Sequence, residues 1–333
     1  MGSKFLAIAA NTFLETIRQP IYGILMWVAA GLLMLNPSIA AFSLERGGDT
    51  KMMVDIALST LLLYGLLASV FSATSVITRE IESYTALTVI SKPVGRPVFF
   101  LGKYVGLIAA LLLGFYFLAL VLTMTVRHGV LEYSSDQYDR PVLVLGLSAI
   151  AISLIAAGFC NYLYGWNFSV TLTAWVVPLG TAALLVTLFF DRQWKPQSPV
   201  TYFGYQQSIA PASIYAAILL IFLAVMILTA FAVTLSARLS QVLTLVLCSA
   251  VFLLGLLSDY YFGSPHGQGQ QTLLGGILYR LLPNFQFFWL GDAITQQLAI
   301  PAAHVARVAA YAVLYTLGVL AVGVALFQTR EVG

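Results

Sequence analysis

Apolar residues follow one another along this chain in long runs, which short stretches containing Gly, Pro and charged residues interrupt. A helix of about 20 apolar residues crosses a hydrocarbon core of about 30 Å. Runs such as Leu107–Val126 lack the two-residue alternation of a membrane barrel strand, so they predict helices. By length the sequence predicts about eight spans, near residues 21–42, 54–77, 98–126, 142–163, 168–190, 212–235, 241–258 and 305–327. The expected fold class is all-α, a polytopic helical membrane protein.

Residues 3–19, before the first run, show an amphipathic helical pattern. One face carries Leu6, Ala10, Phe13, Leu14 and Ile17, and the other carries Lys4, Asn11, Glu15 and Arg18. This pattern is typical of a helix that lies in the membrane interface, and Pro20 is expected to end it. The ordinary first turn of a longer span is the alternative.

Composition supports a membrane protein and narrows the possible functions. The chain is 60% hydrophobic and only 9% charged, whereas soluble domains are about 45–50% apolar. The formal charge of +3 comes from scattered bases, so we expect no nucleic-acid partner. Cys160 and Cys248 lie within apolar runs and are expected to be core residues rather than a disulfide or metal site. The N-terminus has no compact apolar region with a cleavage site, so we expect no cleavable signal peptide.

No connection between the runs is long enough to form an independent core, so residues 1–333 are expected to form one transmembrane domain. The longest connection is the expected external loop at 259–304. Within this loop, Pro283–Leu298 predicts an interfacial or re-entrant helix, with aromatic side chains at headgroup level: Phe285, Phe287, Phe288 and Trp289.

The sequence contains no constellation of residues typical of an enzyme. His128, His266 and His304 are far apart, and none has a carboxylate or a second His at metal-ligand spacing. Gly95–Lys103 contains a Gly-Lys pair without the spacing of a phosphate-binding loop. We therefore expect no catalytic residue, no cofactor, no metal site and no ATP hydrolysis by this chain alone.

Charged and small residues near the span ends carry further expectations. Asp55 and Asp191 lie at the ends of spans rather than in the middle, which argues against an ion-coupled carrier. Lys103 at the start of the third span is expected to extend its amino group toward the membrane interface. Gly102 and Gly106 are spaced so that another helix can approach closely.

Residues 78–97, between the second and third runs, concentrate charge in a chain that is otherwise poor in it. The second span is expected to continue as a helix, because Ile77, Ile81, Tyr84 and Thr88 share one helical face. Pro93 would end that helix, and a turn at Gly95–Pro97 would lead into the third span. A short amphipathic helix held between two spans can seat in a groove on an aqueous partner. A plain solvated loop is the alternative.

In this region the chain resembles the permease subunits of ATP-binding-cassette (ABC) transporters of the type-2 exporter class. The shared run is carried by Glu80, Glu82, Thr85, Leu87, Ser91, Lys92, Pro93, Val94, Arg96, Phe99, Phe100, Gly102, Lys103, Tyr104 and Gly106. Weaker resemblances lie in Arg238–Gly263, and in Leu282–Trp289 together with Leu326–Val332. Tyr84 stands where the family often has Gly, and the family's common core has six spans. Two extra spans, or two re-entrant segments among the eight, would account for the difference.

The resemblance implies a cytoplasmic coupling helix at 78–97, a dimer of permeases, and a separate cytoplasmic ATPase bound to each permease. The dimer would contain identical or different permease chains. The expected docking residues are Arg79, Glu80, Ile81, Glu82, Tyr84, Thr85, Leu87, Ser91, Lys92, Pro93 and Arg96. The chain would then couple ATP hydrolysis by its partner to export of a substrate. The alternative is an ATPase-linked membrane anchor that transmits force in envelope machinery without passing a substrate.

The basic residues indicate the orientation of the chain across the membrane only through their density in one connection. Four of them, Arg79, Lys92, Arg96 and Lys103, crowd one short connection, and short basic connections are typical of the cytoplasmic side. We therefore expect a multi-pass protein of the cell (inner) membrane with both termini in the cytoplasm.

Overall fold

The computed structural model describes residues 2–41, 48–82, 95–130, 137–198, 211–262, 277, 279–296, 298 and 300–328. Its named α-helices are α1 (Gly2–Arg18), α2 (Pro20–Ala40), α3 (Gly48–Glu82), α4 (Arg96–His128), α5 (Arg140–Tyr164), α6 (Phe168–Thr187), α7 (Pro211–Ser236), α8 (Gln241–Phe262), α9 (Gly291–Thr295) and α10 (Ala302–Gln328). Eight helices, α2 to α8 and α10, are long and apolar enough to cross a membrane. The predictions of an all-α fold and of about eight spans are confirmed.

Local sequence explains where several helices begin and end. Gln19 is extended before Pro20, a conformation that proline imposes on the residue preceding it, so α1 and α2 are separate helices. α5 ends at Gly165, whose φ of +64° lies in the left-handed region that glycine adopts readily. The Asn167 side chain then caps α6 by accepting a hydrogen bond from the backbone N–H of Val170. The short junction between α5 and α6 is therefore a true helix break.

Both ends of the described chain lie at the same end of the helix bundle. Arg96 at the start of α4 bonds to the carbonyl oxygen of Gln328 at the end of α10. Ser169 at the start of α6 donates to the α1 backbone at 3.0 Å. We call this the proximal end. At the opposite, distal end, Asn36 in α2 donates to the carbonyl oxygen of Met53 in α3 at 2.7 Å.

Exposed aromatic side chains gather at both ends of the bundle. Tyr162, Tyr164 and Trp166 lie at the proximal end around the α5–α6 junction, and Tyr260 and Tyr261 lie at the distal end of α8. Tyr and Trp are enriched at the two membrane–water interfaces. These positions are those expected if α5 and α8 cross the bilayer.

α3, α4 and α7 form the centre of the bundle. α3 packs against α2, α4 and α7, and α10 packs against α7. Their fully buried side chains include Leu61, Leu111, Leu118, Ile221 and Ile227. α5 and α6 pack mainly against each other and contact the remaining helices mainly through α4 and α1. The α5–α6 hairpin is therefore peripheral to the other six spans. We call these six, α2, α3, α4, α7, α8 and α10, the central spans.

The segment 283–298 contains a 3₁₀ turn, Phe285–Phe288, followed by the five-residue α9. Phe285 and Phe288 are each only 2% exposed. Phe285 packs so closely on Gly255 of α8 that a Cβ there would lie 2.6 Å from its ring. The prediction that these two rings lie at headgroup level is therefore wrong, because they fill the protein core. Phe287 is 43% exposed.

Candidate docking site at the proximal end

The predicted docking segment begins on α3, which continues as a helix through Glu82. The prediction that the second span extends beyond Ile77 is confirmed as far as this residue. Arg79, Glu80, Ile81 and Glu82 therefore lie on the last turns of α3. The remaining candidates apart from Arg96, namely Tyr84, Thr85, Leu87, Ser91, Lys92 and Pro93, lie outside the residues that the structure describes.

The length of α3 carries the start of this segment beyond the apolar part of the helix. α3 has 35 residues, which corresponds to about 52 Å of helix and exceeds a hydrocarbon core of about 30 Å. The candidate span within α3 covers Lys51–Ile77. Residues 78–82 therefore prolong α3 past its apolar section on the proximal side.

The segment ends at the start of α4. Gly95 is the extended residue before α4, and Pro97 occupies the first turn of that helix. Proline suits this position because the first N–H groups of a helix have no partner within it. The third span therefore begins at Arg96, within the predicted Gly95–Pro97 turn.

Arg96, one of the predicted docking residues, bonds within the chain itself. Its Nη1 donates to the carbonyl oxygen of Gln328 at 2.6 Å, in the last turn of α10. Arg238, between α7 and α8, donates through Nη2 to the carbonyl oxygen of Leu326 at 2.9 Å. Cationic side chains stabilise the carbonyl end of a helix. Arg96 therefore links the start of α4 to the end of α10, a role that the sequence did not predict.

The N-terminal helix α1 packs tightly on α4 near the start of α4. A Cβ at Gly102 would lie 2.9 Å from Ile8 Cγ2, and a Cβ at Gly106 would lie 2.7 Å from Thr12 Cβ. The prediction that these two glycines allow another helix to approach closely is confirmed, and α1 is that helix. On α1 the buried residues include Ala9, Thr12 and Thr16.

The exposed surface of α1 differs from its packed surface. Leu6 is 67% exposed and Leu14 is 42% exposed, so both face away from the bundle. Lys4, Asn11 and Arg18 are exposed on another side of the same helix. The helix thus presents an apolar stripe and a polar stripe on either side of its contact with α4.

Lys103 is buried rather than extended to the interface. Its side chain is 3% exposed, and its Nζ lies 3.4 Å from Glu15 Oε2 of α1. The ammonium also lies 5.6 Å from the centre of the Phe99 ring. The expectation that Lys103 snorkels toward the membrane surface is therefore wrong, because a carboxylate on α1 reaches it inside the bundle.

A second buried ion pair lies at the distal end. Arg127 Nε donates to Asp139 Oδ2 at 2.7 Å, and both side chains are buried. The same guanidinium donates to the carbonyl oxygens of Thr187 and Phe190. Asp139 Oδ1 accepts from the Val142 N–H and so caps α5. The sequence did not reveal this pair, since both residues lie near a predicted connection, where charged side chains are ordinarily solvated.

Four elements are brought together at the candidate docking site. The end of α3, the start of α4, α1 and the end of α10 meet at the proximal end. Among the residues that the structure describes, no group of three His, Cys, Asp or Glu side chains could hold a metal ion. Asp55 lies beside Lys51 and Asp292 at the distal end.

Comparison with protein-family models and with curated proteins yields no match to this chain.

Proposed function

We propose that the chain is the membrane-spanning subunit of an ABC-type exporter, coupled to ATP hydrolysis by a separate cytoplasmic ATPase. The partner ATPase docks on the segment 78–97 at the proximal end. The resemblance of this segment to type-2 exporter permeases supports the proposal, as does its attachment to the centre of the bundle. The chain itself carries no ATPase site in this proposal and needs no cofactor.

The main support for the proposal is that the two ends of the segment continue into α3 and α4, which lie at the centre of the bundle. α3 enters it as an unbroken helix through Glu82, and α4 leaves it at Arg96. α3 and α4 pack on each other and on α7. A force applied to the segment would therefore act directly on the centre of the bundle.

The contacts around α4 extend that connection. A movement of α4 would also move α1, because the close packing at Gly102 and Gly106 and the Lys103–Glu15 pair join the two helices. It would also move α10, because Arg96 at the start of α4 bonds to the end of α10. Closure of an ATPase dimer beneath two such subunits would move these helices together and change which side of the membrane the interior faces.

The proposal also fixes orientation and assembly. The proximal end faces the cytoplasm, so both termini are cytoplasmic and the protein resides in the cell (inner) membrane. A second permease subunit, identical or different, completes the transporter. The six central spans correspond to the family's common core, and the α5–α6 hairpin is the additional pair.

The second candidate function is an ATPase-linked membrane anchor that transmits force without passing a substrate. Its support is the apolar interior: among the described residues, the buried charged side chains are Lys103, Arg127 and Asp139, all toward span ends. An apolar interior equally suits an exporter of lipid-like molecules.

Purification from the native membrane in a gentle detergent tests the proposed partnership. We expect a cytoplasmic ATPase to co-purify and the complex to hydrolyse ATP. Recovery of the folded chain without any ATPase would contradict both candidate functions. Reconstitution of the complex in vesicles then separates them, because ATP-dependent movement of a labelled lipid supports export. ATP hydrolysis that requires another envelope protein and moves no lipid supports the anchor.

A further inference from the structure

Polar contacts join the peripheral α5–α6 hairpin to the rest of the bundle at both ends. Between these contacts, the surface where the hairpin meets the bundle is mostly apolar, and we call it the seam. At the distal end, Arg127 binds Asp139 and carbonyl oxygens at the end of α6. At the proximal end, Ser169 donates to the α1 backbone at 3.0 Å. Between these ends, Tyr116 OH lies 3.0 Å from Thr181 Oγ1.

Part of this seam is a cavity of about 280 Å³ between the hairpin, α2 and α4. Large apolar side chains line it from α4, and aliphatic side chains together with two glycines line it from the hairpin. They include Phe117, Leu120, Met124, Gly146, Leu147 and Gly180. Leu147 is 59% exposed, so the cavity is open to the lipid-facing side of the bundle.

Hydrocarbon is the expected occupant of this cavity. Apolar cavities of roughly 150 Å³ stay dry and bind hydrocarbons such as benzene, because water finds too few polar partners in them. The lining on α4 extends from Phe117 to His128, which is about 16 Å along a helix. One leaflet of a hydrocarbon core of about 30 Å is about 15 Å thick. The cavity therefore has the length of one leaflet and begins at the distal membrane surface.

Basic groups surround the distal mouth of the cavity. His128 lines the mouth, and Arg192 Nη2 lies 3.7 Å from the position of a Cβ on the adjacent Gly129. Arg140, the first residue of α5, is exposed at the same end. The N–H groups at a helix N-terminus add positive potential there.

Among the described side chains, the carboxylates near this mouth offset those bases only in part. Asp139 is bound to Arg127. Asp191 is exposed beside Arg192. Glu132 and Asp136 belong to 131–136, outside the described residues. Among the described side chains, Arg140 and Arg192 therefore outnumber the one carboxylate that has no cation bound to it.

We propose that this cavity holds one acyl chain of an anionic membrane phospholipid, whose headgroup lies against Arg192 at the distal surface. The bound lipid fills the gap between the peripheral hairpin and the six central spans. It would stabilise the hairpin in the leaflet on the distal side. This inference does not depend on the proposed transport function.

Gly146→Leu tests the acyl-chain site, with Gly158→Leu on the same helix as the matched control. A Cβ at Gly146 meets only Met124 Sδ at 3.5 Å, an ordinary contact, whereas a Cβ at Gly158 meets nothing within 4 Å. A leucine at 146 would occupy the cavity, and a leucine at 158 would face lipid. If the new side chain excludes about two methylenes of the acyl chain from the cavity, the affinity of the chain for the lipid should fall on the order of tenfold.

The measurement is native mass spectrometry of the purified chain from nanodiscs that contain equal amounts of phosphatidylglycerol and phosphatidylcholine. We expect one retained phosphatidylglycerol in the wild type and in Gly158→Leu, and its loss in Gly146→Leu. If Gly146→Leu fails to fold, Gly180→Leu fills the same cavity from α6, where a Cβ meets only Leu120 at 3.6 Å. Equal retention by the cavity-filling and control variants would overturn the site.

Arg192→Gln tests the headgroup contact. We expect this variant to lose the preference for phosphatidylglycerol over phosphatidylcholine, because the cation nearest the mouth is removed. Arg307→Gln, at the distal end of α10, is the control and should keep the preference. Equal retention of the two lipids by the wild-type chain would overturn the anionic-headgroup part of the proposal.

Discussion

The α1–α4 seam gives a graded prediction for glycine substitutions. A Cβ at Gly106 would lie 2.7 Å from Thr12 Cβ and closer still to the carbonyl oxygen of Ala9. Neither neighbour can rotate away, because both atoms belong to the α1 backbone or adjoin it. Restoring the roughly 3.5 Å separation that carbon atoms prefer would push α1 away from α4 by about 0.8 Å.

A displacement of this size sets the expected energetic cost. A gap of about 0.5–1 Å forfeits roughly a quarter to a half of the attraction in each contact across the seam. Overpacking of a well-packed core costs about 1–3 kcal/mol. Alanine is intrinsically favoured over glycine in a helix by about 1 kcal/mol, so the cost must be measured against another Gly→Ala change.

The chain offers two matched substitutions for this comparison. A Cβ at Gly31 of α2 meets nothing within 4 Å, so Gly31→Ala is the control. A Cβ at Gly102 would lie 2.9 Å from Ile8 Cγ2 and 3.1 Å from Ile8 Cβ, so it is less crowded than a Cβ at Gly106. We therefore expect the cost to increase from Gly31→Ala through Gly102→Ala to Gly106→Ala.

The assay is the labelling rate of Thr16→Cys by a membrane-impermeant maleimide, in a background that lacks Cys160 and Cys248. Thr16 is fully buried in the structure, so labelling reports the population in which α1 has left α4. A cost of about 1–3 kcal/mol predicts labelling roughly 5- to 150-fold faster in Gly106→Ala than in Gly31→Ala. Equal rates in folded Gly31→Ala, Gly102→Ala and Gly106→Ala would refute the packing of α1 on α4.

Two further predictions concern the arginine contacts. Asp139→Ala leaves Arg127 buried without its carboxylate and removes the α5 cap, so thermal unfolding in detergent should report a loss of about 3–5 kcal/mol. The double change Arg127→Met with Asp139→Leu should recover most of that loss, and a double variant less stable than Asp139→Ala would contradict a buried pair. Arg238→Gln removes the donor to the Leu326 carbonyl oxygen, so hydrogen exchange should accelerate in the last turn of α10. Exchange as slow as in the wild type would show that this contact does not hold the helix end.

The sequence predicted those features that depend on nearest neighbours along the chain. Continuous apolar runs such as Leu107–Val126 identified the spans, since hydrocarbon requires each segment to satisfy its own backbone hydrogen bonds. The spacing of Gly102 and Gly106 indicated a close helix contact because residues four apart share a helix face. These are local rules, and the structure bears them out.

Features that depend on residues distant in sequence were not predictable in this way. Lys103 and Glu15 are 88 positions apart, and nothing in either local pattern indicates that they meet. The contacts of Arg127 with the end of α6 join three elements through backbone carbonyl oxygens, which any sequence provides. Phe285 resembled an interfacial aromatic residue, and its burial depends on the shape of α8 at Gly255.

The candidate docking segment was identified from its charge and spacing, and the structure adds how its two ends are attached. The first residues of the segment continue α3 as a helix, and Arg96 near the end of the segment contacts α10. The attachment of these ends to the central helices could not be read from the segment, because it depends on the packing of all six central spans.

Charge reversal at the end of α3 tests the central claim most directly. Glu80→Lys with Glu82→Lys alters the last turn of α3 at the proximal end, and Asp191→Lys alters an exposed carboxylate at the distal end as the control. The measurement is the amount of ATPase that co-purifies with each folded variant from the native membrane. We predict that the double reversal loses the ATPase while Asp191→Lys retains it. Undiminished co-purification with the double reversal would contradict the account.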